Sequence, residues 1–143
     1  MIEKVSDTPL DLKYTICFCR VNGKVLMVYR YREPNKDLWN GLGGKLEPGE
    51  KAKESVIREM KEEADIDISK AKDLFFAGIV TWNKDDARVG MYAFVADLPD
   101  DFLIWNKERE TPEGLLAWKD EAWGGDVKNK GNSGCHPVEK KKA

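Results

Sequence analysis

The sequence predicts a single α+β domain, in which a mixed β-sheet packs against one well-marked helix. Two runs rich in β-forming residues, Lys13 to Arg20 and Val25 to Tyr29, flank Asn22-Gly23, a dipeptide that tolerates the positive φ angles of a tight hairpin turn. Further along, apolar residues recur at four-residue spacing and give a helix one apolar stripe. The stripe consists of Ala52, Val56, Met60 and Ala64. Together these elements are typical of an α/β or α+β sandwich and not of a helical bundle or an all-β barrel.

The remaining elements follow in order along the chain. The helix is predicted from Glu50 to Ala64, directly after a Pro-Gly pair that marks its entry. Leu74 to Thr81 and Gly90 to Asp97 are predicted to form a second hairpin, with the polar segment from Trp82 to Arg88 connecting them. Leu115 to Trp118 is predicted to be a last short strand.

The composition restricts the class of partner. A chain of 143 residues fits one domain, and we take residues 1–143 as that domain. Because the formal net charge is only -2, the chain lacks the strongly basic surface that nucleic acids require, so we expect a small diffusing partner and no nucleic acid. Residues 124–143 are rich in Gly, Asn, Lys and Ser, which predicts a poorly ordered tail.

The start of the chain and its cysteines indicate a cytoplasmic protein. The first fifteen residues lack the basic start and apolar run of a signal peptide, and nowhere do eighteen apolar residues follow one another, so no membrane partner is expected. Cys17 and Cys19 alternate with apolar residues and are predicted to be buried thiols on one strand face. His136 beside Cys135 is predicted to lie in a surface loop and not in a metal site.

Three glutamates of the predicted helix, Glu59, Glu62 and Glu63, are related by i, i+3 and i+4 spacing and project from neighbouring points. Each like-charge pair at this spacing costs about 0.2–0.5 kcal/mol. A solvated surface helix, compensated by Arg58 and Lys61, is one interpretation. The other is a site for a hard divalent cation, since Mg²⁺ prefers oxygen ligands and keeps waters for substrate phosphates.

A glycine-rich segment lies directly before this helix. Leu38 to Glu50 contains four glycines, and at Gly43 and Gly44 the missing side chains would let backbone groups approach a ligand closely. The loop and the carboxylates therefore predict one combined metal-phosphate site. Trp39 within the loop is predicted to be a core anchor, with a role beside a bound base as the alternative.

The spacing of these residues resembles the signature of the Nudix hydrolases. Eight of the nine fixed signature positions match over 23 residues, from Gly44 through Glu50 and the Arg58-Glu59 pair to Ile66. The resemblance implies an α/β/α sandwich, in which the signature forms a loop, a helix and a second loop on a mixed sheet. The departure is Asp65, where the family has a glycine that caps the helix in a left-handed conformation. Asp is among the few other residues that visit this conformation, so we expect modest strain there.

The resemblance also implies roles for individual residues. Glu59, Glu62 and Glu63 would bind a divalent metal, Mg²⁺ or alternatively Mn²⁺, together with the backbone carbonyl of Gly44. Arg58 would hold a signature glutamate in place, and Glu50 would support the helix entry. Family members often add a glutamate from a later loop, and here Glu113 is the first candidate and Glu110 its rival. The resemblance leaves Glu62, Glu63 and Glu113 open as the base that accepts a proton from the attacking water.

The loop before the signature, Leu38 to Lys45, is similar to that of the MutT-like branch of the family. This similarity implies a pyrophosphohydrolase of nucleoside triphosphates, with oxidised purines such as 8-oxo-dGTP as candidate substrates. An aromatic slot with hydrogen-bonding edges would bind a purine. The predicted substrate-contacting residues are Phe18 and Trp123 for stacking, Asn40 and Asp126 for hydrogen bonds, and Gly43 and Lys45 in the loop.

Other functions remain open at this point. Within the family, the alternatives are linked nucleoside diphosphates, namely RNA 5′ ends, dinucleoside polyphosphates and nucleotide sugars. Outside catalysis, the alternatives are a nucleotide-sensing module and an inactive interaction domain. Residues 129–136 provide no apolar helix of the kind that usually ends family members. The chain is therefore predicted to bind bases loosely as a monomer, or to borrow a surface from a second subunit as a homodimer.

Overall fold

In the computed structural model, residues 10–33 and 35–122 are described, and within them eight strands form one sheet against a single α-helix. The helix α1 spans Ala52–Ala64, and a 3₁₀ turn follows at Ile68–Lys70. The strands are β1 Leu10–Val21, β2 Lys24–Arg30, β3 Trp39–Asn40, β4 Leu42–Lys45, β5 Asp73–Lys84, β6 Ala87–Asp97, β7 Arg109–Glu110 and β8 Gly114–Asp120. No helix in these two ranges is long and apolar enough to cross a membrane.

The sheet is mixed, as the sequence predicts. Its main path runs β5-β6-β1-β2-β8-β7, with β3 added on β2 and β4 added on β1. β1 and β6 are parallel, and the other pairs are antiparallel. The α+β fold class is therefore confirmed, and β1 at the centre connects the signature segment to the rest of the sheet.

Both predicted hairpins are present, but the second has a much shorter turn than predicted. Asn22 and Gly23 have φ angles of 49° and 79°, as their turn requires. The prediction that Trp82 to Arg88 is a connecting segment is wrong, because β5 continues to Lys84 and β6 begins at Ala87. Ladder hydrogen bonds need no apolar side chains, so polar residues extend both strands to a turn at Asp85-Asp86.

The glycine-rich segment is also more regular than a loop. β3 pairs with β2, and β4 pairs with β1 from Tyr14↔Lys45 to Cys17↔Leu42. Trp39 at its start is 6% exposed, which confirms its prediction as a core anchor. The signature loop is thus fixed to the sheet on its N-terminal side.

The core lies between α1 and one face of the sheet. Val56, Met60 and Ala64 pack there against the buried thiols of Cys17 and Cys19, as the periodicity predicts. Burial raises the pKa of the Cys17 thiol to about 12, so it stays neutral. A buried hydrogen bond of 3.1 Å between the Thr15 and Ser55 hydroxyls also ties the helix to β1. These contacts fix the helix face that carries the glutamates.

The two ends of α1 are defined by local hydrogen bonds. The helix begins at Ala52 and not at Glu50, because the Glu50 N–H donates to the Glu47 carbonyl in a turn. At the other end Asp65 adopts the left-handed conformation expected of a cap, with φ 59° and ψ 37°. Its N–H donates to the Lys61 carbonyl at 3.0 Å, and the Lys61 ammonium donates to its carboxylate at 2.9 Å, which lowers the Asp65 pKa. Aspartate therefore replaces the capping glycine.

Candidate functional site

The guanidinium of Arg58 organises the N-terminal half of the site. Its Nε and Nη2 donate to the two carboxylate oxygens of Glu50 at 2.7 and 2.9 Å. Its Nη1 donates to Glu59 at 3.1 Å and to Glu62 at 3.2 Å, and Nη2 also donates to the Lys45 carbonyl at 3.3 Å. One side chain thus joins β4, the helix entry and the helix.

These contacts change the ionisation of both partners. The hydrogen bonds from Arg58, followed by the one from the Glu47 N–H, lower the pKa of Glu50 to about 2. In return, the hydrogen bond to Glu50 is the largest cause that raises the pKa of Arg58. The pair is therefore charged throughout the physiological range.

Glu59 and Glu63 form a second unit, one helical turn apart. Their carboxyl groups interact through a hydrogen bond, and both residues are half-buried. Burial, then the charge and hydrogen bond of Glu59, and then the charge of Glu113 raise the pKa of Glu63 to about 8. Burial also raises the pKa of Glu59, against the opposing effect of Arg58. Burial thus disfavours the charged form of both carboxyl groups.

Glu62 points away from this pair. Its side chain is 58% exposed, compared with 13% for Glu59, and its Oε1 accepts from Arg58. Within the described ranges, no three acidic, histidine or cysteine side chains converge closely enough to hold a metal ion. The helical spacing predicts that all three glutamates converge. Only Glu59 and Glu63 do so, because the hydrogen bond from Arg58 holds Glu62 away from them.

The donor set still fits a hard divalent cation. Glu59 and Glu63 present carboxylate oxygens in a half-buried place, where a cation would favour the charged form that burial disfavours. Gly44 lies directly beside them, since a Cβ at this position would collide with the Glu59 carboxylate. The oxygen ligands and the absence of a side chain at Gly44 suit Mg²⁺ or Mn²⁺ better than a softer metal.

The two signature glycines have different neighbours, which predicts different effects of substitution. A Cβ at Gly43 would overlap the Thr15 carbonyl of β1, whereas one at Gly44 would meet the movable Glu59 side chain. We expect Gly43→Ala to destabilise the fold by about 2 kcal/mol or more, because backbone cannot move aside in a packed sheet. Gly44→Ala is expected to fold nearly normally but to displace Glu59. Thermal unfolding separates the two variants, and equal losses of stability would contradict this assignment.

The contacts of Glu113, in the loop between β7 and β8, differ from those of Glu110, the last residue of β7. The Tyr31 hydroxyl donates to Glu110 at 2.7 Å, and this bond raises the pKa of Tyr31 to about 12. Glu113 lies 3.8 Å from the Arg30 guanidinium, and its charge acts on Glu63. Glu113 is therefore the loop acid that faces the carboxylate pair. No sequence pattern identifies Tyr31 and Arg30 as site residues, because they contribute only through contacts with Glu110 and Glu113, which lie far away in the chain.

The predicted base-binding residues do not form one slot. Phe18 packs with the smaller cluster around Trp39, on the sheet face opposite α1. Asn40 pairs with Val28, whose side chain lies in the core on the α1 face. The Asn40 Oδ1 accepts a hydrogen bond from the Asn35 side chain at 3.2 Å. Trp123, Asp126, Cys135 and His136 lie outside the described residues.

Comparisons with known proteins agree on one family. The NUDIX domain model matches residues 11–123. The uncharacterized Nudix hydrolase YvcI of Bacillus subtilis (strain 168) is 33% identical over 110 residues, 76% of this chain and 65% of that protein. Dihydroneopterin triphosphate diphosphatase of Escherichia coli (strain K12) is 35% identical over 68 residues, 48% of this chain and 43% of that protein. The chain therefore spans less than two thirds of either relative.

A solved structure supports the fold independently. The MutT protein from Methanosarcina mazei Go1 superposes with a TM-score of 0.62 at 22% identity, over 90% of this chain and 86% of that one. At this identity the likeness concerns the fold alone, and it agrees with the mixed sheet and signature helix described above.

Proposed function

Since this chain belongs to the Nudix family, we propose that it is a metal-dependent pyrophosphohydrolase of nucleoside triphosphates, which releases a nucleoside monophosphate and pyrophosphate. The observation that carries the proposal is the half-buried Glu59–Glu63 pair beside Gly44, where burial raises the pKa of both carboxyl groups. A structural surface helix gains nothing from such a pair, because burial and repulsion both disfavour two carboxylates.

In this proposal each side chain has a distinct task. Glu59, Glu63 and the Gly44 carbonyl would hold Mg²⁺ or Mn²⁺, and Glu62 would be a further ligand if its bond with Arg58 opened. A metal held there would supply positive charge to the polyphosphate and would lower the pKa of a bound water. Arg58 holds Glu59 in position through its bond of 3.1 Å. Glu113, whose charge acts on Glu63, would accept the proton from the water, with Glu62 and Glu63 as the other candidate bases.

The choice of substrate is supported by the relatives and by the loop sequence. The Escherichia coli relative is named for removal of diphosphate from a triphosphate. The segment from Leu38 to Lys45, which resembles the MutT-like branch, favours purine triphosphates, including oxidised forms such as 8-oxo-dGTP. Lys45, Asn40 and Gly43 are proposed to contact the substrate from this segment, whereas Phe18 lies on the sheet face opposite α1 and is left out of the proposal. We place the activity in the cytoplasm, without a membrane or nucleic-acid partner.

The proposal is tested by a hydrolysis screen in Mg²⁺, with Mn²⁺ in parallel. In one arm of the screen pyrophosphatase is added, so that released pyrophosphate is detected as phosphate. In the other arm phosphatase is added, so that phosphate is detected from products with a terminal phosphate group. The substrates are nucleoside triphosphates, oxidised purine triphosphates, dinucleoside polyphosphates and nucleotide sugars. Release of pyrophosphate from triphosphates supports the proposal and ranks the bases. Turnover of linked diphosphates alone would move the chain to another branch of the family, and metal binding without any turnover would indicate a nucleotide sensor.

Glu113 and Glu110 give a matched pair of variants. Glu113→Gln is expected to lower kcat about a hundredfold, because it removes a group proposed to accept a proton. Glu110→Gln removes a carboxylate that bonds Tyr31, and we expect kcat to change less than about threefold. Steady-state kinetics on the best substrate measures both. A larger loss in Glu110→Gln than in Glu113→Gln would reverse the assignment.

A further inference from the structure

β5 forms one edge of the sheet and is unusually long for an edge strand. It has 12 residues and, within the described part of the chain, pairs with β6 alone. Its outer N–H and C=O groups therefore form a row available to another strand. Edge strands are normally protected by charges, prolines or short length. Of the 12 residues of β5 only the first and the last, Asp73 and Lys84, are charged, and a single bulge between Phe76 and Gly78 interrupts the ladder.

The opposite edge of the sheet has the usual protection. β7 consists only of Arg109 and Glu110, which are both charged and exposed. Pairing of another strand along this edge would bury two charges and would form very few backbone hydrogen bonds in return. The contrast singles out β5, because only one of the two edges presents a long uncharged row of backbone groups.

The side chains of β5 are apolar and exposed on both faces of the sheet. Five of them are between 37% and 52% exposed: Phe75, Phe76, Ile79, Val80 and Trp82. Each of these residues lies on the same sheet face as its partner in β6. Phe76 and Ile79 pair with Phe94 and Tyr92, which lie on the α1 face. Phe75, Val80 and Trp82 point to the other face. A protein packed on one face covers only one set, whereas a strand placed alongside β5 touches both.

We propose that β5 is the surface through which two copies of this chain pair, edge to edge and antiparallel, to form one continuous sheet across a homodimer. A second copy fits because it brings an identical strand whose ten inner residues are uncharged, so the two rows of backbone groups satisfy each other without burying a charge from the middle of the strand. Residues 1–9 and 123–143 contain no run of more than two consecutive apolar residues.

The exposed area is consistent with a dimer. Five large side chains exposed to this extent present on the order of 400 Å² of apolar surface, at about 150–250 Å² for each aromatic side chain. A standard interface buries about 800 Å² on each partner. The backbone of a 12-residue strand and its smaller side chains are available for the remainder. An apolar patch of this size on a monomer marks an interaction surface more often than free solvent exposure.

The test uses two single lysine variants, one on each face. In sedimentation velocity over a wide concentration range, the full chain is expected to show a species of twice the 16.3 kDa mass of one chain. Ile79→Lys and Val80→Lys are each expected to weaken this association at least about tenfold, because each encloses an ammonium group among apolar side chains. Leu103→Lys is the matched control, since Leu103 is 87% exposed between β6 and β7 and its variant should still dimerise.

Three outcomes would overturn the proposal. The full chain could remain a monomer at every concentration, one face variant alone could dissociate the dimer, or Leu103→Lys could act as strongly as the others. Circular dichroism verifies that the variants are folded, which is expected because both positions are about half exposed. Hydrogen exchange on the unmodified chain provides a second readout, since amides of residues 73–84 should become more protected as concentration rises. Unchanged exchange there would equally contradict pairing.

Discussion

Glu63→Gln is expected to lower hydrolysis at least about a hundredfold while making the folded protein more stable. Activity falls because glutamine supplies neither the charge proposed to hold the metal nor a site that can accept a proton. Stability rises because Glu63 is half-buried beside Glu59, and burial and that neighbouring charge raise its pKa to about 8. The amide of glutamine can donate to Glu59 as the protonated Glu63 does, without ever becoming a second buried anion.

The sign of the pH dependence follows from this raised pKa. Below pH 4.5, the value expected for Glu63 in the unfolded chain, Glu63 is protonated in both states and contributes no difference in stability. Between pH 4.5 and about 8 the unfolded chain releases the proton and the folded chain keeps it, so stability falls as pH rises. Above about pH 8 the cost is constant. The advantage of glutamine therefore appears above pH 4.5 and reaches its full size near pH 8.

Thermal unfolding and kinetics of the same samples test this prediction. In metal-free buffer at pH 8 we expect Glu63→Gln to raise Tm by roughly 3–6 °C, equivalent to about 1 kcal/mol, and to have little effect near pH 4. Glu54→Gln on the same helix serves as the activity control, because Glu54 bonds the Lys51 N–H at the helix entry, away from the pair. A variant with full activity would remove Glu63 from the site. A variant that loses stability at pH 8 would show that the pair is not repulsive.

Features encoded by adjacent residues could be predicted from the sequence. The Asn22-Gly23 turn, the apolar stripe of α1 and the left-handed Asp65 all depend on local conformational preferences, and the structure confirms each of them. Local preference fails at β3 and β4, because a glycine-rich segment has no strand signal of its own. β4 exists because Gly43 allows the backbone of Thr15 to approach.

The electrostatic arrangement of the site could not be predicted, because it depends on residues far apart in the chain. Helical spacing placed Glu59, Glu62 and Glu63 close together but could not show that Arg58 retains Glu62. The choice between Glu113 and Glu110 depends on Tyr31, which lies 79 positions from Glu110. Sequence spacing identifies which groups meet on one helix, and the fold decides how they ionise.

Arg58→Ala is expected to destabilise the fold more than the substitution of any other charged residue of α1. The guanidinium contacts Glu50, Glu59, Glu62 and the Lys45 carbonyl. Its removal leaves the carboxylates of Glu50 and Glu59, which are only 12% and 13% exposed, without their cationic partner. Breaking a fully buried pair from one side costs about 3–5 kcal/mol. Since Arg58 is partly exposed, we expect a smaller loss of about 2 kcal/mol.

The loss should also depend on pH in a defined direction. The contacts with Arg58 hold the pKa of Glu50 at about 2, below the value of 4.5 expected in the unfolded chain. The stability that this pair contributes is therefore fully present above pH 4.5 and disappears as pH falls toward 2. The difference in Tm between the unmodified chain and Arg58→Ala should be largest at neutral pH and narrow in acid. A difference that stays constant in acid would mean that Arg58 acts through packing of its aliphatic stem.

Two further variants separate charge from geometry at Arg58. Arg58→Lys keeps the positive charge but has no fork that bridges Glu50 and Glu59, so we expect most of the loss to remain. Lys61→Ala on the same helix removes an exposed i, i+4 pair with Asp65 and should leave Tm nearly unchanged. Because Arg58 also fixes Glu59, Arg58→Lys is expected to lower kcat about tenfold to a hundredfold, as is typical when the support of a metal ligand is removed. Full activity in Arg58→Lys would mean that Glu59 reaches its working position without Arg58, and the arginine would then be a structural residue only.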